Sequence, residues 1–388
     1  MKQIPRVSEL NRPVNPAENS RPKIILAVGG GKGGIGKTVI TAAFGIALAS
    51  QGRKTILIDA DLGGANLHTC MGMLSPPLTL RDFFERLKPR LQDVVLETAF
   101  DNLQMVSGAP GVLGMDNQRH WEKQKFLSHL WRLDADFVIL DLGASASFNE
   151  IDLFLAADQG VVVANPEPTS IYGAYGFIKA CLFRRLKRRF RDWPEVIAIL
   201  DRNRGRNYYQ ETRTMASILQ ELATADESYA QAVQETIAAF RPKLILNMVD
   251  EETEAKEAVA LEIACQELLN VQVEYCGHIF YDEAVRHAVK TMRPELFLQA
   301  EGIAADSIRR IVQTALLKTA GITESRRQWT SQRHAQSTAL AQTEDGELIC
   351  SVRCSCWGNC NFQRGGYPCK IKYVGFVRMK RGGKTSGE

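Results

Sequence analysis

The chain has 388 residues, enough for one large α/β domain with an appendage or for two domains. Its 45% hydrophobic and 24% charged residues are typical of a globular protein, and no apolar run reaches the length of a transmembrane helix. The net charge of +4 is too small to indicate nucleic-acid binding by itself.

The first predicted elements surround a glycine-rich loop. Residues 1–22 are polar and lack the apolar stretch of a signal peptide, so we expect a flexible N-terminal segment and no secretion. An apolar strand, Ile24–Val28, precedes the loop, and a helix-forming run, Val39–Ser50, follows it. The loop has the complete G-x-x-x-x-G-K-T pattern of a phosphate-binding P-loop, formed by Gly31, Lys32, Gly33, Gly34, Ile35, Gly36, Lys37 and Thr38.

The P-loop pattern assigns chemistry to its last residues. Glycine N–H groups and the following helix N-terminus favour phosphate oxygens. We expect Lys37 to reach the β- and γ-phosphates and Thr38 to ligate Mg²⁺. ATP and Mg²⁺ are therefore the predicted cofactors, and the requirement for ATP indicates a cytoplasmic protein.

Strand-like apolar runs alternate with helical stretches from residue 23 to about residue 318. Several runs are almost continuously apolar, as in parallel strands buried on both faces. This pattern predicts an α/β fold with a doubly wound, mostly parallel sheet and the P-loop after its first strand. The further predicted strands are Thr55–Asp59, Phe137–Asp141, Val161–Asn165, Lys243–Val249 and Val271–Ile279.

Two predicted strands end in acidic residues. Asp59 ends one strand and Asp61 follows it, and Asp141 ends an apolar run in the manner of a Walker-B aspartate. Ligands of parallel sheets lie at the carboxyl ends of the strands, so these carboxylates belong beside a bound cation. The alternative for Asp59 and Asp61 is a solvated helix-capping turn.

The middle of the domain contains a basic segment and a longer stretch of unassigned role. Residues 182–193 combine an apolar stripe with six cations. Such a segment is typical of a helix that binds an anionic membrane, nucleic acid or an acidic partner protein, or of a core helix with a cationic outer face. Residues 194–240 predict a helical insertion, with a helical pair at Met215–Ala239.

The composition changes at the C-terminal end. We interpret residues 319–345 as a linker and residues 346–388 as a small basic module, with eight Lys/Arg against two Glu. A module this small cannot bury enough apolar surface to fold without a metal ion or a cross-link. Clustered thiols in a reducing compartment favour Zn²⁺ or an iron–sulfur cluster over a disulfide or unliganded thiols. The candidate ligands are Cys350, Cys354, Cys356, Cys360 and Cys369. The remaining cysteines, at positions 70, 181, 265 and 276, are predicted to be buried structural thiols.

With Lys32 as its second residue, the motif K-G-G-x-G-K-T resembles the deviant P-loop of the MinD/ParA family of ATPases. The resemblance implies an ATP-dependent homodimer in which Lys32 reaches the phosphates bound by the partner subunit. The order of the motifs over residues 23–318 is most similar to the MinD and FlhG (FleN) branch.

Further segments carry the same resemblance. The stretch I-D-A-D-L-G-G-A-N, residues 58–66, resembles the family's first switch, which implies that Asp59 lies near Mg²⁺, Asp61 orients the attacking water and Asn66 contacts the nucleotide region. Gly143 falls in the second switch, and Asn165-Pro-Glu resembles a segment near the dimer interface. Asn247 is implied to bind adenine. Residues 276–282 resemble the family stretch G-x-I-P-x-D, with Phe280 in place of proline, and imply that Asp282 lies at the nucleotide.

The resemblance implies a spatial-positioning or assembly switch. ATP would join two subunits, a surface or stimulating partner protein would bind the dimer, and hydrolysis would release it. Peripheral membrane association is compatible with this hypothesis. The alternatives are an iron–sulfur carrier or redox ATPase that uses the C-terminal cysteines, and a zinc-stapled tail that binds nucleic acid or protein.

Overall fold

The computed structural model describes residues 23–61, 64–108, 120–144, 147–202, 214–298 and 302–317. Its centre is one eight-stranded sheet with the order β3-β4-β2-β5-β1-β6-β7-β8. The strands are β1 Ile24–Gly29, β2 Thr55–Asp59, β3 Leu96–Glu97, β4 Leu103–Val106, β5 Phe137–Asp141, β6 Gln159–Ala164, β7 Lys243–Val249 and β8 Glu274–Phe280. Neighbouring strands are parallel, except that β3 and β4 are antiparallel.

Helices cover both faces of this sheet. They are α1 Lys37–Ala49, α2 Leu67–Cys70, α3 Leu80–Phe84, α4 His120–Leu130, α5 Phe148–Ala156, α6 Pro168–Arg189, α7 Pro194–Arg202, α8 Met215–Ala225, α9 Glu227–Ala238, α10 Lys256–Leu269, α11 Glu283–Thr291 and α12 Ile303–Ile311. A π-helical turn, Val312–Leu317, follows α12. Of the described helices, none is long and apolar enough to cross a membrane.

The sequence of β1 shows why the sheet is covered on both sides. Its six residues are all buried, and successive side chains enter opposite cores. Ile25 and Ala27 pack in the core below α3 to α10, whereas Ile24, Leu26 and Val28 pack with α1 and α12. The doubly wound, mostly parallel sheet predicted from the alternation of elements is confirmed.

Three predicted elements start at a different residue in the structure, and several ends differ by one residue. The first helix begins at Lys37, two residues earlier than predicted, and β6 begins at Gln159 instead of Val161. The last predicted strand starts at Glu274 rather than Val271, because Asn270 adopts a left-handed conformation (φ 56°) at the end of α10. The Val271 N–H then donates to the carbonyl oxygen of Cys265, so Val271 belongs to the C-terminal cap of α10 and does not extend the sheet.

The basic segment 182–193 forms the last part of α6 and the turn after it. Its apolar stripe lies in the protein core, where Leu182 and Leu186 are fully buried and Phe190 is 1% exposed. This packing is the second of the two alternatives considered for the segment, and it leaves the stripe unavailable for insertion into a lipid surface. The helical pair expected between residues 215 and 239 is present as α8 and α9.

Candidate functional site

The P-loop connects β1 to α1 at the carboxyl edge of the sheet. Gly34 and Gly36 adopt left-handed conformations (φ 75° and 86°), which favour glycine. Gly36 also approaches the side chain of Asn247 so closely that a Cβ atom would lie 2.3 Å from its Nδ2 atom. Left-handed residues in such a turn belong to the backbone conformation in which successive N–H groups form a concave anion-binding site.

Lys37 lies at the start of α1 with its side chain largely buried. Its Nζ donates to the backbone carbonyl of Lys32 at 3.2 Å, so the lysine bends back across the loop. Burial lowers the pKa of Lys37, and the charges of Asp141, Asp61 and Glu150 oppose this shift. The amine thus faces three carboxylates within a pocket that is short of solvent, which is an arrangement suited to phosphate oxygens.

Asp59 and Asp141 lie side by side at the ends of adjacent strands. They are register partners in the β2–β5 pair, and both are fully buried. Asp59 accepts hydrogen bonds from the backbone N–H groups of Leu67 at 3.0 Å and Asp61 at 3.2 Å. Burial, followed by the charge of Asp141, raises the pKa of Asp59 well above its usual range.

The donor set around Asp141 fits a hydrated divalent cation. Burial raises the pKa of Asp141 to about 7, although hydrogen bonds from Thr38 and Thr41 and the charge of Lys37 lower it. Thr41 Oγ1 donates to Asp141 Oδ1 at 3.3 Å, whereas Asp141 Oδ2 is buried with no hydrogen-bond partner in the described part of the chain. Two crowded carboxylates with an unused oxygen match the oxygen ligands that Mg²⁺ prefers.

The segments predicted to act as the first and second switches meet around Gly143. A Cβ atom at Gly143 would lie 3.0 Å from Asp61 Oδ1 and 2.3 Å from Glu150 Oε1, so a larger residue here would have to displace one or both carboxylates. Asp61 is held by the Gly64 N–H, which donates to its Oδ1 at 2.9 Å. Glu150 was not among the predicted site residues, and its only sequence signal is the capping-box spacing from Ser147.

Three other predicted residues lie around the P-loop edge with different roles in this structure. Asn247, which is 7% exposed, donates from Nδ2 to the Ile35 carbonyl at 2.9 Å and so braces the loop. Asp282 caps α11, accepting from the Ala284 N–H at 2.9 Å. Asn66 is exposed at the start of α2, and its side chain makes no capping hydrogen bond. Their contacts to a nucleotide stay predictions.

Lys32 is held by the first residues of α6. Its Nζ forms an ion pair with Glu167 and donates a hydrogen bond to Thr169 Oγ1 at 2.9 Å. The hydrogen bond and charge of Lys32 lower the pKa of Glu167. The lysine side chain is 37% exposed, so it lies at the surface of the loop. Glu167 and Thr169 were not predicted as partners of Lys32.

The P-loop and α6 also touch through their backbones. A Cβ atom at Gly31 would lie 2.0 Å from the carbonyl oxygen of Gly173, one turn into α6. In the opposite direction, a Cβ at Gly173 would lie 3.1 Å from the Gly31 oxygen. Two glycines separated by more than a hundred residues thus permit a loop–helix contact that no larger residue allows at Gly31.

Several cations of the basic segment are paired within the domain. Arg184 donates to both oxygens of Asp152 at 2.8 and 2.9 Å, and Arg188 donates to Asp152 Oδ1 at 3.3 Å. Lys187 forms an ion pair with Asp201. These pairs bind α6 to α5 and α7, which accounts for much of the charge of the segment without an external ligand.

The predicted cysteine ligands between residues 350 and 369 lie outside the described residues, as does the linker. Cys70, Cys181 and Cys265 are buried, as expected, and Cys276 is half-buried. Burial raises the pKa of Cys70 to about 12, so this thiol is protonated at neutral pH. Within the described ranges, no group of three His, Cys, Asp or Glu side chains could hold a metal ion.

Comparison with known proteins gives matches over the same region. The CobQ/CobB/MinD/ParA nucleotide-binding domain matches residues 26–295. The antiactivator FleN of Pseudomonas aeruginosa is 28% identical over 275 residues, which cover 70% of this chain and 79% of FleN. The septum site-determining protein MinD of Buchnera aphidicola (subsp. Acyrthosiphon pisum) is 32% identical over 149 residues, which cover 38% of this chain and 54% of that protein.

A solved structure shows the same fold. MinD of Pyrococcus horikoshii in complex with Mg-ADP superposes with a TM-score of 0.50 at 18% sequence identity. The superposition covers 77% of this chain and 98% of the other.

Proposed function

This chain belongs to the CobQ/CobB/MinD/ParA family of nucleotide-binding domains, and from that membership we propose that it is an ATPase that works as a dimerising switch for spatial positioning or assembly. The observation that carries the proposal is the lysine pair of the P-loop. Lys37 is buried toward the acidic residues of the site, whereas Lys32 points to the surface from the same loop. One lysine serves the subunit's own nucleotide, and the other is available to a second subunit.

The residues around Asp141 divide the chemistry between them. Thr38, Asp59 and Asp141 hold Mg²⁺, which when bound neutralises negative charge on the phosphate oxygens. Lys37 binds the β- and γ-phosphates, and the P-loop N–H groups orient them. Asp61 accepts a hydrogen bond from the attacking water and so aims it at the γ-phosphate. The carboxylate is suited to this task because the Gly64 N–H already fixes one of its oxygens.

Lys32 supplies the remaining positive charge from the partner subunit. In the structure of one subunit it is engaged by Glu167 and Thr169, so it must leave both to reach across a dimer interface. An approaching triphosphate offers more negative charge than one exposed carboxylate, which favours the transfer. Turnover is therefore slow in the monomer and rises when two ATP-bound subunits associate. Hydrolysis then removes the γ-phosphate that attracts Lys32 across the interface, and the dimer releases its surface or partner.

The experiment compares Lys32→Ala and Asp61→Ala with wild type by light scattering after gel filtration, in MgATP and in MgADP, alongside phosphate release. We expect Asp61→Ala to accumulate an ATP-bound dimer with turnover reduced by about two orders of magnitude. Lys32→Ala should bind MgATP within a few-fold of wild type but lose hydrolysis.

Lys54→Ala is the matched control, because Lys54 is an exposed lysine paired with Asp134 at the opposite edge of the sheet. It should dimerise and turn over as wild type. An ATP-bound Asp61→Ala protein that stays monomeric, or a Lys32→Ala protein with normal turnover, would contradict the proposed mechanism.

A further inference from the structure

An open groove of about 520 Å³ lies beside the edge strand of the sheet, between α10 and the turn that enters β8. Aliphatic side chains form part of its wall, namely Ile263 from α10 and Val271 and Val273 from the turn. Ile263 is 58% exposed, and Val259, one turn earlier on the same helix face, is 49% exposed. Surface apolar side chains that lie together along a groove are typical of a docking surface for another segment of chain.

The rim of this groove is acidic. Glu262, Glu267 and Glu274 line it, and Arg241 is the one cation among its lining residues in the described part of the chain. Glu274 also forms an ion pair with Lys243, so Glu262 and Glu267 supply most of the negative charge of the rim. The acidic character extends along the whole neighbourhood, since residues 250–274 contain eight carboxylates and a single lysine. A ligand for this surface must therefore combine cationic with apolar side chains.

We propose that the groove is the docking site for residues 346–388 of the same chain, and that the basic tail is held against α10. The tail has the composition that the groove requires. It carries eight Lys/Arg and two Glu, an excess of six positive charges opposite the acidic surface. Its stretch K-I-K-Y-V-G-F-V-R, residues 370–378, interleaves cations with aliphatic and aromatic side chains, which suits an acidic groove with apolar walls.

The described chain ends on the correct edge of the domain for this contact. After α12, Gln313 Nε2 donates to Gln51 Oε1 at 3.0 Å. Gln51 follows the end of α1, which starts at the P-loop, so this point lies at the edge of the sheet opposite the nucleotide. The groove opens at the same edge, because Glu274 is the first residue of β8 and Arg241 lies two residues before the start of β7.

The length between the last described residue and the tail is sufficient. Residues 318–345 number 28, and even as one continuous helix they would span about 42 Å. A domain of this size has a radius of gyration of about 19 Å. The tail therefore reaches the groove without any change in the domain, and it docks on the far side from the P-loop. The face that binds ATP and a second subunit stays open.

The test is zero-length cross-linking of the full-length chain under reducing conditions, with a carbodiimide that joins lysines to carboxylates. Mass spectrometry reads the yield of cross-links between the tail lysines (residues 370, 372, 380 and 384) and Glu262 or Glu274. The perturbing variant is Gln266→Lys/Glu267→Lys, which reverses charge on the groove rim but leaves both reporter glutamates in place. We expect its yield to fall about tenfold, and wild type in 1 M NaCl to fall similarly because screening then acts within about 3 Å.

Glu227→Lys/Gln231→Lys is the matched control, with the same change in charge at exposed positions of α9. The Ala238 carbonyl accepts a hydrogen bond from Arg241, so Ala238 marks the end of α9 beside the groove. Glu227 lies 11 residues before Ala238, about 16 Å along the helix, which is more than a Debye length at physiological salt. Its yield should stay within about twofold of wild type.

Three results would overturn the proposal. They are the absence of tail–groove cross-links in wild type, an equal loss in the control variant, and cross-links that join differently labelled chains in a mixture of ¹⁴N and ¹⁵N protein. The last result would mean that the tail docks on a second copy.

Discussion

The contact between the P-loop and α6 predicts how much stability is lost when alanine replaces each glycine of the contact. A Cβ atom at Gly31 would lie 2.0 Å from the Gly173 oxygen, whereas an ordinary contact needs about 3.4 Å, so Gly31→Ala must separate loop and helix by about 1.4 Å. Neither partner is the flexible end of a side chain. We therefore expect a cost at the upper end of the range for overpacking, about 3 kcal/mol, which lowers Tm by roughly 6–12 °C for a domain of this size.

Two neighbouring substitutions calibrate this prediction. A Cβ at Gly173 meets the Gly31 oxygen at 3.1 Å, a milder overlap, and alanine is favoured over glycine inside a helix by about 1 kcal/mol, so Gly173→Ala should change the stability by less than about 1 kcal/mol. A Cβ at Gly33 meets the Ala144 Cβ at 3.7 Å, an ordinary contact, so Gly33→Ala should leave Tm of the nucleotide-free protein unchanged within about 2 °C. The assay is thermal unfolding without nucleotide. Equal melting temperatures for Gly31→Ala and Gly33→Ala would refute the reasoning.

Two further predictions concern buried charge. Asp152→Asn should lower the free energy of unfolding by about 2–3 kcal/mol in urea titration, because it removes the negative charge that pairs with Arg184 and Arg188. These arginines are about one-third exposed, so the cost stays below that of a fully buried pair. A loss below about 0.5 kcal/mol would contradict it. Burial lowers the pKa of His129 to about 4, so its neutral form stabilises the fold above pH 6.5, and that contribution is lost as pH falls from 6.5 to 4. After a discount for solvent screening, we expect a loss of about 1–2 kcal/mol in the free energy of unfolding. An NMR titration that gives His129 a pKa near 6.5 would contradict this prediction.

The parts of the structure that the sequence predicts are those with local signals. The strands Thr55–Asp59 and Phe137–Asp141 could be predicted to the residue, since each is an uninterrupted apolar run that ends in aspartate. The P-loop is also local, because glycines, lysine and threonine at fixed spacing between a strand and a helix specify it. Asp59 and Asp141 could be expected together because both end parallel strands, although they are 82 residues apart in the chain.

The contacts that sequence reasoning missed are long-range. Nothing near Lys32 indicates that Glu167 and Thr169 bind it, since they lie 135 and 137 residues away. The basic segment shows the same difficulty. Its amphipathic pattern suits a membrane-surface helix and a core helix equally, and the decisive partner, Asp152, lies on a different helix. Periodicity reports that one face of a helix is apolar but not what covers it.

Helix α6 takes part in three long-range contacts, with Lys32, Gly31 and Asp152. Helix α6 spans 22 residues, about 33 Å, and its first turns hold Lys32 and touch Gly31, whereas its second half is fixed to Asp152 of α5. Helix α5 begins five residues after Gly143, in the segment predicted to act as the second switch. A packed helix moves as a unit, so on the proposed mechanism a shift of this segment on binding the γ-phosphate would pass through Asp152 to α6 and loosen the hold on Lys32. On this argument, the Asp152→Asn protein should not only unfold more easily but also need a higher ATP concentration to dimerise, because the shift no longer passes fully from α5 to α6.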